Sequence, residues 1–345
     1  LAALGEFGLI ARIRARVARR SAGAVLGIGD DAAILSAPQD SRWLATTDML
    51  LEGVHFQRCW ESPRALGRKA LAVNVSDIAA MGGRPLYALL GLGIPPSGVS
   101  LLELEAVVEG LEEEAERWGV TIVGGDTCGS ASGLVVSVTL LGTPVGPPIL
   151  RSGARPGEGL WVTGLLGGSA AGLLALERGF RPDRPWPVDL PRPAWIGVSE
   201  LAAIRSAIDA HLTPEPRLAA GQALAGYASA MLDLSDGVAS DVRHLCMESG
   251  IRARVWADRV PIHPGAEVLG RLLGRTPLEL ALQGGEDYEL LFAAGTDPLP
   301  ALAGLAGLPV SRIGEMQAGA PGAELVHPDG RVGSLSGGFD HFRSD

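Results

Sequence analysis

Lys69-Ala70-Leu71-Ala72-Val73-Asn74-Val75-Ser76-Asp77 is a run of small and apolar residues that closes on a carboxylate. With its flanks it carries helical spacing from Pro63 to Met81, and Leu66, Ala70, Val73, Asp77 and Met81 fall on one stripe. That stripe sets an acid on an apolar face, where an unpaired charge costs several kcal/mol. Something must compensate Asp77. A buried arginine or the end of a neighbouring helix would serve.

The situation recurs along the chain. Gly29-Asp30-Asp31, Thr46-Thr47-Asp48 and Gly124-Gly125-Asp126-Thr127 each place acid at or near the exit of an apolar stretch. Singly, each is an ordinary turn or cap residue. Together, short carboxylates converging from different elements suit magnesium, which takes hard oxygen ligands, uses few carboxylates plus water and bridges to phosphates. Thr46 and Thr47 add oxygens. In the second half, Asp233-Leu234-Ser235-Asp236-Gly237 stands at a strand-to-helix junction, with Asp233 and Ser235 on one face and Asp236 at the helix entry. This is a further metal or phosphate corner, or an ordinary N-cap.

Around these acids the pattern is mixed. Trp43 to Thr47, Val120 to Val123 and Leu134 to Leu141 read as strands, and Leu101 to Trp118 as a second helix. Its acids Glu112, Glu113, Glu114 and Glu116 read as a solvated face. Thr143 to Pro148 is rich in proline, and a new strand follows at Leu160 to Thr163, so we place a domain boundary at 148/149. The second half then repeats strand, glycine-rich turn and helix to Glu177, with a strand at Ala230 to Leu234 and a helix from Val238 to Glu248. Phe180 to Pro193 holds five prolines and reads as an irregular surface loop. The expected class is α/β, with mixed sheets, in two domains spanning 1–148 and 149–345.

Composition narrows the partners. With 29 basic and 39 acidic residues the formal charge is -10, which gives no general attraction to nucleic acid or an anionic membrane. A phosphate substrate then requires divalent cations to reverse the local sign. Cys59, Cys128 and Cys246 lack the spacing of a zinc site or a disulfide framework. No apolar run reaches bilayer length, and Leu1 to Arg20 lacks the order of a signal peptide, so a cytoplasmic chain is expected.

Two glycine-rich segments bear on phosphate. Gly164-Leu165-Leu166-Gly167-Gly168-Ser169 follows a strand and opens a helix, so its N–H groups either cradle an anion or make a tight turn with no ligand. It lacks the lysine of a P-loop and the spacing of a dinucleotide fold. Gly124 and Gly125 would let backbone approach a phosphate beside Asp126, and Arg151 has the fork to clamp one.

Taken in order, Gly29-Asp30-Asp31-Ala32-Ala33, Thr46-Thr47-Asp48, Glu52-Gly53-Val54-His55-Phe56 and Asn74 to Gly82 resemble the signature of the thiamine-monophosphate kinase family. Gly124 to Thr127, Arg151-Ser152-Gly153-Ala154, Asp233 to Gly237, Gly285-Glu286-Asp287-Tyr288-Glu289-Leu290 and Gly338-Phe339-Asp340-His341-Phe342 continue it. The family belongs to the aminoimidazole ribonucleotide synthetase superfamily, and the resemblance implies a two-domain ATP-using enzyme that dimerises through its N-terminal domain. It implies magnesium-site positions at Asp30, Thr46, Thr47, Asp48, Asp77, Asp126, Asp233 and Asp236. It further implies ATP contacts at Gly125, Asp126, Arg151 and Ser235, and thiamine monophosphate contacts at His55, Glu286 and Phe339.

Such a reaction needs alignment and charge neutralisation, and no protein nucleophile or base. The acceptor is a phosphate monoester with a second pKa of about 6, already largely deprotonated at neutral pH. Among relatives, selenophosphate synthetase is disfavoured because the first cysteine is Cys59, and the hydrogenase-maturation enzyme because the chain ends His341-Phe342-Arg343-Ser344-Asp345 without cysteine. A non-catalytic nucleotide or divalent-ion binder would have no use for His55 and Glu286.

Overall fold

Two mixed sheets are laid down one after the other in the computed structural model, which describes residues 8, 10, 14, 24–26, 28–36, 42–182, 186, 187, 189–305 and 307–339. Most of Leu1 to Arg20, and all of 340–345, lie outside the described residues, so the leader and chain-end readings do too. The first sheet contains β1 (Ala24–Leu26), β2 (Ala33–Ser36), β3 (Arg42–Leu51), β4 (Gly83–Ile94), β5 (Thr121–Gly129) and β6 (Val135–Pro144). Their order is β1-β2-β3-β6-β4-β5. β4 and β5 run parallel because helix α2 (Leu101–Trp118) crosses between them, and the other pairings are antiparallel.

The second sheet holds β7 (Gly159–Thr163), β8 (Ala230–Asp233), β9 (Arg252–Trp256), β10 (Leu290–Ala294), β11 (Val310–Gln317), β12 (Gly322–Val326) and β13 (Val332–Ser334) in the order β13-β12-β9-β11-β7-β10-β8. Its helices include α3 (Gly168–Glu177), α4 (Val198–Leu212), α5 (Leu218–Leu224) and α6 (Val238–Ser249). Two proline-led helices, α7 (Pro264–Leu273) and α8 (Pro277–Gln283), pack beside them.

Helix α1 (Pro63–Ala80) lies between the sheets. Ser62 caps it, accepting from the Ala65 N–H at 3.1 Å, and Pro63 occupies the first turn, where its missing N–H is no loss. The single apolar stripe read from the sequence understates its burial. From Ala65 to Ala80 every residue is buried except Arg68 and Asp77, because α1 packs on α2, β3 and β6 on one side and on α5 and β8 on the other. One core therefore runs from Leu44, Val138 and Leu140 through Leu71 and Ile78 to Leu224, Met231 and Phe292.

Glycines set how closely the helices meet. A Cβ on Gly67 would stand 1.9 Å from the Val107 carbonyl oxygen, and one on Gly110 1.9 Å from that of Arg64. Across this seam Arg64 and Arg68 reach Glu113, while Glu114 is buried and takes the Trp118 indole N–H. The solvated acidic face expected of α2 is thus half engaged. Gly110→Ala is expected to destabilise the fold by about 1–3 kcal/mol through overpacking. An unchanged urea midpoint would contradict this contact.

Candidate active site

At the C-terminal half of α1 the repeated acids meet. Carboxylate oxygens of Asp31, Asp77 and Asp233 lie within 4.8 Å of one another, and they come from the β1–β2 turn, α1 and the end of β8. Asp31 and Asp233 are buried and Asp77 half-buried. Thr46 donates to Asp77, and Ser76 donates to Asp233 at 2.6 Å. Asp48 adjoins them, close enough to Asp77 for the two carboxyls to act on one another.

Burial and mutual repulsion push these groups toward their neutral forms. Burial first, then Asp48, Asp233 and Asp31, hold Asp77 well above the usual carboxylate range. Burial and then Asp31 do the same to Asp233. Asp48 is raised to about 6, chiefly by burial, and Asp30 to about 7 by burial and by Asp31. The nearby cation is Arg151, whose Nη2 reaches Asp31 at 2.6 Å and whose backbone N–H donates to Asp30 at 3.0 Å. Asp241, buried behind Asp236, is also raised well above its ordinary value by burial and then by Asp236 and Asp233.

A second polar cluster sits at the N-terminal half of α1. Lys69, fully buried, extends its ammonium to Glu286 Oε2 at 3.3 Å and to the His55 carbonyl at 3.4 Å. His211 Nδ1 lies 3.2 Å from the same Glu286 oxygen and 2.9 Å from Ser169 Oγ. Burial lowers His211 to about 3, so it is neutral. Burial works against a charged Glu286, but the Lys69 ammonium foremost outweighs it and holds this carboxyl below its ordinary value. The backbone at Glu286 and Tyr288 is left-handed, φ 63° and 51°, which is strained for residues with a side chain. Bonds from Glu286 N to Ser235 O at 2.8 Å and from Tyr288 N to Leu234 O at 2.9 Å hold it there.

The sequence candidates are only partly gathered. Asp30, Thr46, Asp48, Asp77, Asp233 and Arg151 stand together, and Asp236 adjoins them through Asp241. Asp48 is not at a strand exit but inside β3, paired with Val138. Thr47 faces the other side of that sheet, where its hydroxyl bonds the Val138 carbonyl and Thr139, so its side chain is not with the carboxylates. Asp126 is likewise mid-strand and exposed on edge strand β5, about 14 Å from Asp48 if three strand spacings are counted. A Cβ on its neighbour Gly125 would stand 1.8 Å from the Leu90 carbonyl oxygen, beside a bulge, so strand packing alone requires that glycine. His55 Nδ1 accepts from Leu51 N at 3.1 Å, and the Phe339 N–H donates to the Asp236 carbonyl at 3.0 Å, which places Phe339 near the site with its ring half exposed.

One expected cradle is already filled. The N–H groups of Gly167 and Ser169 at the start of α3 donate to the two carboxylate oxygens of Asp287 at 2.7 and 3.1 Å, so that loop holds an internal anion. The stretch after Phe180 is also better anchored than a loose loop, with Trp186 edge-on to buried Phe180 and donating to the Leu190 carbonyl. Asp31, Lys69, His211 and Asp241 escaped the sequence reading. Asp31 had a signal in its doublet with Asp30; the others had none stronger than being polar within apolar helices.

These features define a class: a two-sheet fold with a carboxylate centre suited to cations and phosphates. Residues 29–143 match the family model described as AIR synthase related protein, N-terminal domain. Thiamine-monophosphate kinase from Salmonella typhimurium is 37% identical over 343 residues, covering 99% of each chain. The Bacillus subtilis enzyme is 33% identical over 346 residues, covering 99% of this chain and 100% of its own. The solved structure of AaThiL complexed with AMPPCP and TMP superimposes with a TM-score of 0.82 at 32% identity, covering 99% and 98% of the two chains. The hydrogenase maturation protein HypE, 21% identical with a TM-score of 0.67, shares the fold alone. The chain belongs to the thiamine-monophosphate kinase family, whose reaction is ATP-dependent phosphorylation of thiamine monophosphate to thiamine diphosphate.

The raised carboxyls have a measurable consequence. A carboxyl whose folded pKa exceeds the ordinary 3.8 stabilises the fold fully below that value and loses the contribution as pH rises through the folded pKa, about 6 for Asp48 and about 7 for Asp30. Without divalent cations, the thermal midpoint of Asp77→Asn is therefore expected to gain on wild type as pH rises from roughly 5 to 8, and magnesium is expected to shrink the gap. A gap that ignores both pH and magnesium would mean these carboxylates do not share one field.

Proposed function

We propose that the chain transfers the γ-phosphoryl group of ATP directly and in line to the phosphate of thiamine monophosphate, in a cleft formed by residues 1–148 and 149–345. The observation carrying this reading is the convergence of Asp31, Asp77 and Asp233 oxygens within 4.8 Å. The donor set fits magnesium, being hard oxygens from short side chains, and Asp31 Oδ2 is buried with no hydrogen-bond partner among the described residues. Asp30, Asp31, Asp48, Asp77, Asp233 and Asp236, with the Thr46 hydroxyl, would hold the ions. Bound there, magnesium would supply charge neutralisation between the ATP triphosphate and the acceptor's phosphate, which otherwise repel.

The chain's own groups then orient the reactants. Arg151 offers a guanidinium whose Nε is buried and has no partner among the described residues, a fork suited to phosphoryl oxygens. Ser235, Gly125 and Asp126 are assigned to ATP on the family motif. His55, Glu286 and Phe339 take the acceptor, with Glu286 receiving hydrogen bonds from its aminopyrimidine and Phe339 packing on a ring. An acceptor phosphate oxygen attacks the γ-phosphorus, the bond to the bridging oxygen breaks, and ADP leaves. No side chain takes up the phosphoryl group.

The same reading includes a homodimer through the first sheet. The face opposite α1 leaves Met49, Tyr87, Leu89 and Val123 exposed, at 54%, 40%, 39% and 55%, an apolar surface beside the open edge of β5. Light scattering is expected to give twice the chain mass at micromolar concentration, and Met49→Lys with Leu89→Lys to give the monomer. A wild-type monomer would remove the dimer from this reading.

Incubation with ATP, magnesium and thiamine monophosphate is expected to yield thiamine diphosphate and ADP, and chelation to stop it. Rapid quench with labelled ATP and no acceptor is expected to leave the protein unlabelled. Competent formation of phosphorylated protein, with His55 the first suspect, would replace direct transfer by double displacement.

A further inference from the structure

Lys69 is the one lysine in the chain; the other 28 of its 29 basic residues are arginines. Where this sequence needs a surface cation or an ion pair it uses arginine, as at Arg14, Arg58, Arg151, Arg217 and Arg254. The exception is fully buried, at 0% exposure. Arginine presents five donors in a rigid plane and needs acceptors arranged around it, whereas an ammonium is a compact point charge with three donors that rotate to fit.

Its surroundings show what that point charge does. Lys69 and neutral His211 both converge on Oε2 of Glu286, while Oε1 of Glu286 has no hydrogen-bond partner among the described residues. Glu286 is the exposed tip of the cluster, with a side chain 23% exposed against 0% for Lys69 and 3% for His211. Glu61 adjoins them, buried, with both oxygens unbonded among the described residues and under the charges of Lys69 and Glu286. Burial raises Glu61 to about 7, while Glu286 is held below its ordinary value, so one ammonium serves two carboxyls and the charge rests on Glu286.

We infer that Lys69 is a positioning residue for acceptor recognition: its ammonium clamps one oxygen of Glu286, so that the other is presented as a fixed anionic acceptor to an N–H group of the substrate. This rests on the reading of Glu286 as a contact to thiamine monophosphate and adds the residues that make Glu286 competent. A lysine here, and no arginine, follows from the closed space and from the need to bind one oxygen while leaving its twin free.

The test uses the uniqueness of the residue. Protein labelled with 15N at the lysine ε-nitrogen has one such resonance, and it is expected to shift on adding thiamine monophosphate and to stay in place on adding a nonhydrolysable ATP analogue with magnesium. In kinetics, Lys69→Met and Lys69→Arg are each expected to raise KM for thiamine monophosphate by about tenfold or more, with KM for ATP within about twofold of wild type. The double variant Lys69→Met with Glu286→Gln is expected to be no worse than Glu286→Gln alone, since an amide needs no counter-charge. A resonance that answers only to nucleotide, an unchanged KM in Lys69→Arg, or equal rises in both KM values would overturn the inference and leave the kinase reading standing. A wild-type protein that makes no thiamine diphosphate sinks both.

Discussion

Carboxylates from three separate segments are held within 4.8 Å of one another although they repel, and the architecture is organised around bearing that repulsion. The restraint is α1. It presents Asp77 to Thr46 of the first sheet and Ser76 to Asp233 of the second, so one turn of helix ties both sheets to one polar centre. Because α1 is buried against both, with Gly67 and Gly221 admitting neighbouring backbone, the carboxylates cannot relax apart without opening the core. The strain is discharged instead through protonation, through Arg151 and, in the proposed working state, through cations.

The same helix spaces the two polar clusters of the proposed site. Lys69 and Asp77 are eight residues apart, about 12 Å along the axis. One end of this ruler lies at the proposed cation centre and the other at the Glu286 cluster, so the proposed sites of phosphoryl transfer and acceptor recognition are spaced by a single rigid element. The segment Gly285 to Glu289 fixes the second end through three acids with three tasks. Glu286 faces the site, Asp287 caps α3, and Glu289 takes Thr163 at 2.6 Å and pairs with Arg217. The two structural acids explain how a left-handed backbone at Glu286 and Tyr288 is sustained.

Much of this was legible in the sequence, for definite reasons. Periodicity located α1 and α2 because their neighbours impose apolar spacing, and the coincidence of acids at Asp30, Asp48, Asp77 and Asp233 survived as a real gathering. What periodicity cannot give is pairing. β4, with Pro85 and three glycines, has too little strand character to be read, yet it lies inside the first sheet between β6 and β5, its early pairing with β6 relaxed by a bulge. Without it, Asp126 and Asp48 look equivalent, although three strand spacings separate them. Thr46 and Thr47 are adjacent in sequence and opposite in space, because the alternation of a strand decides which one meets Asp77.

Gly167 and Ser169 show the other limit. A strand, a glycine turn and a helix start form a generic anion site, and nothing local says whether the anion comes from a ligand or from a residue 120 positions away. Here it is Asp287, whose own pKa burial raises to about 7, so the N–H groups satisfy a carboxyl that would otherwise be costly to bury. The helix terminus therefore supports the proposed substrate site, by locking the turn that carries Glu286. Sequence motifs of this kind report a local capacity. Which partner fills it follows from the topology that brings β10 between β7 and β8, and so sets Asp287 against α3 while Glu286 turns toward Lys69.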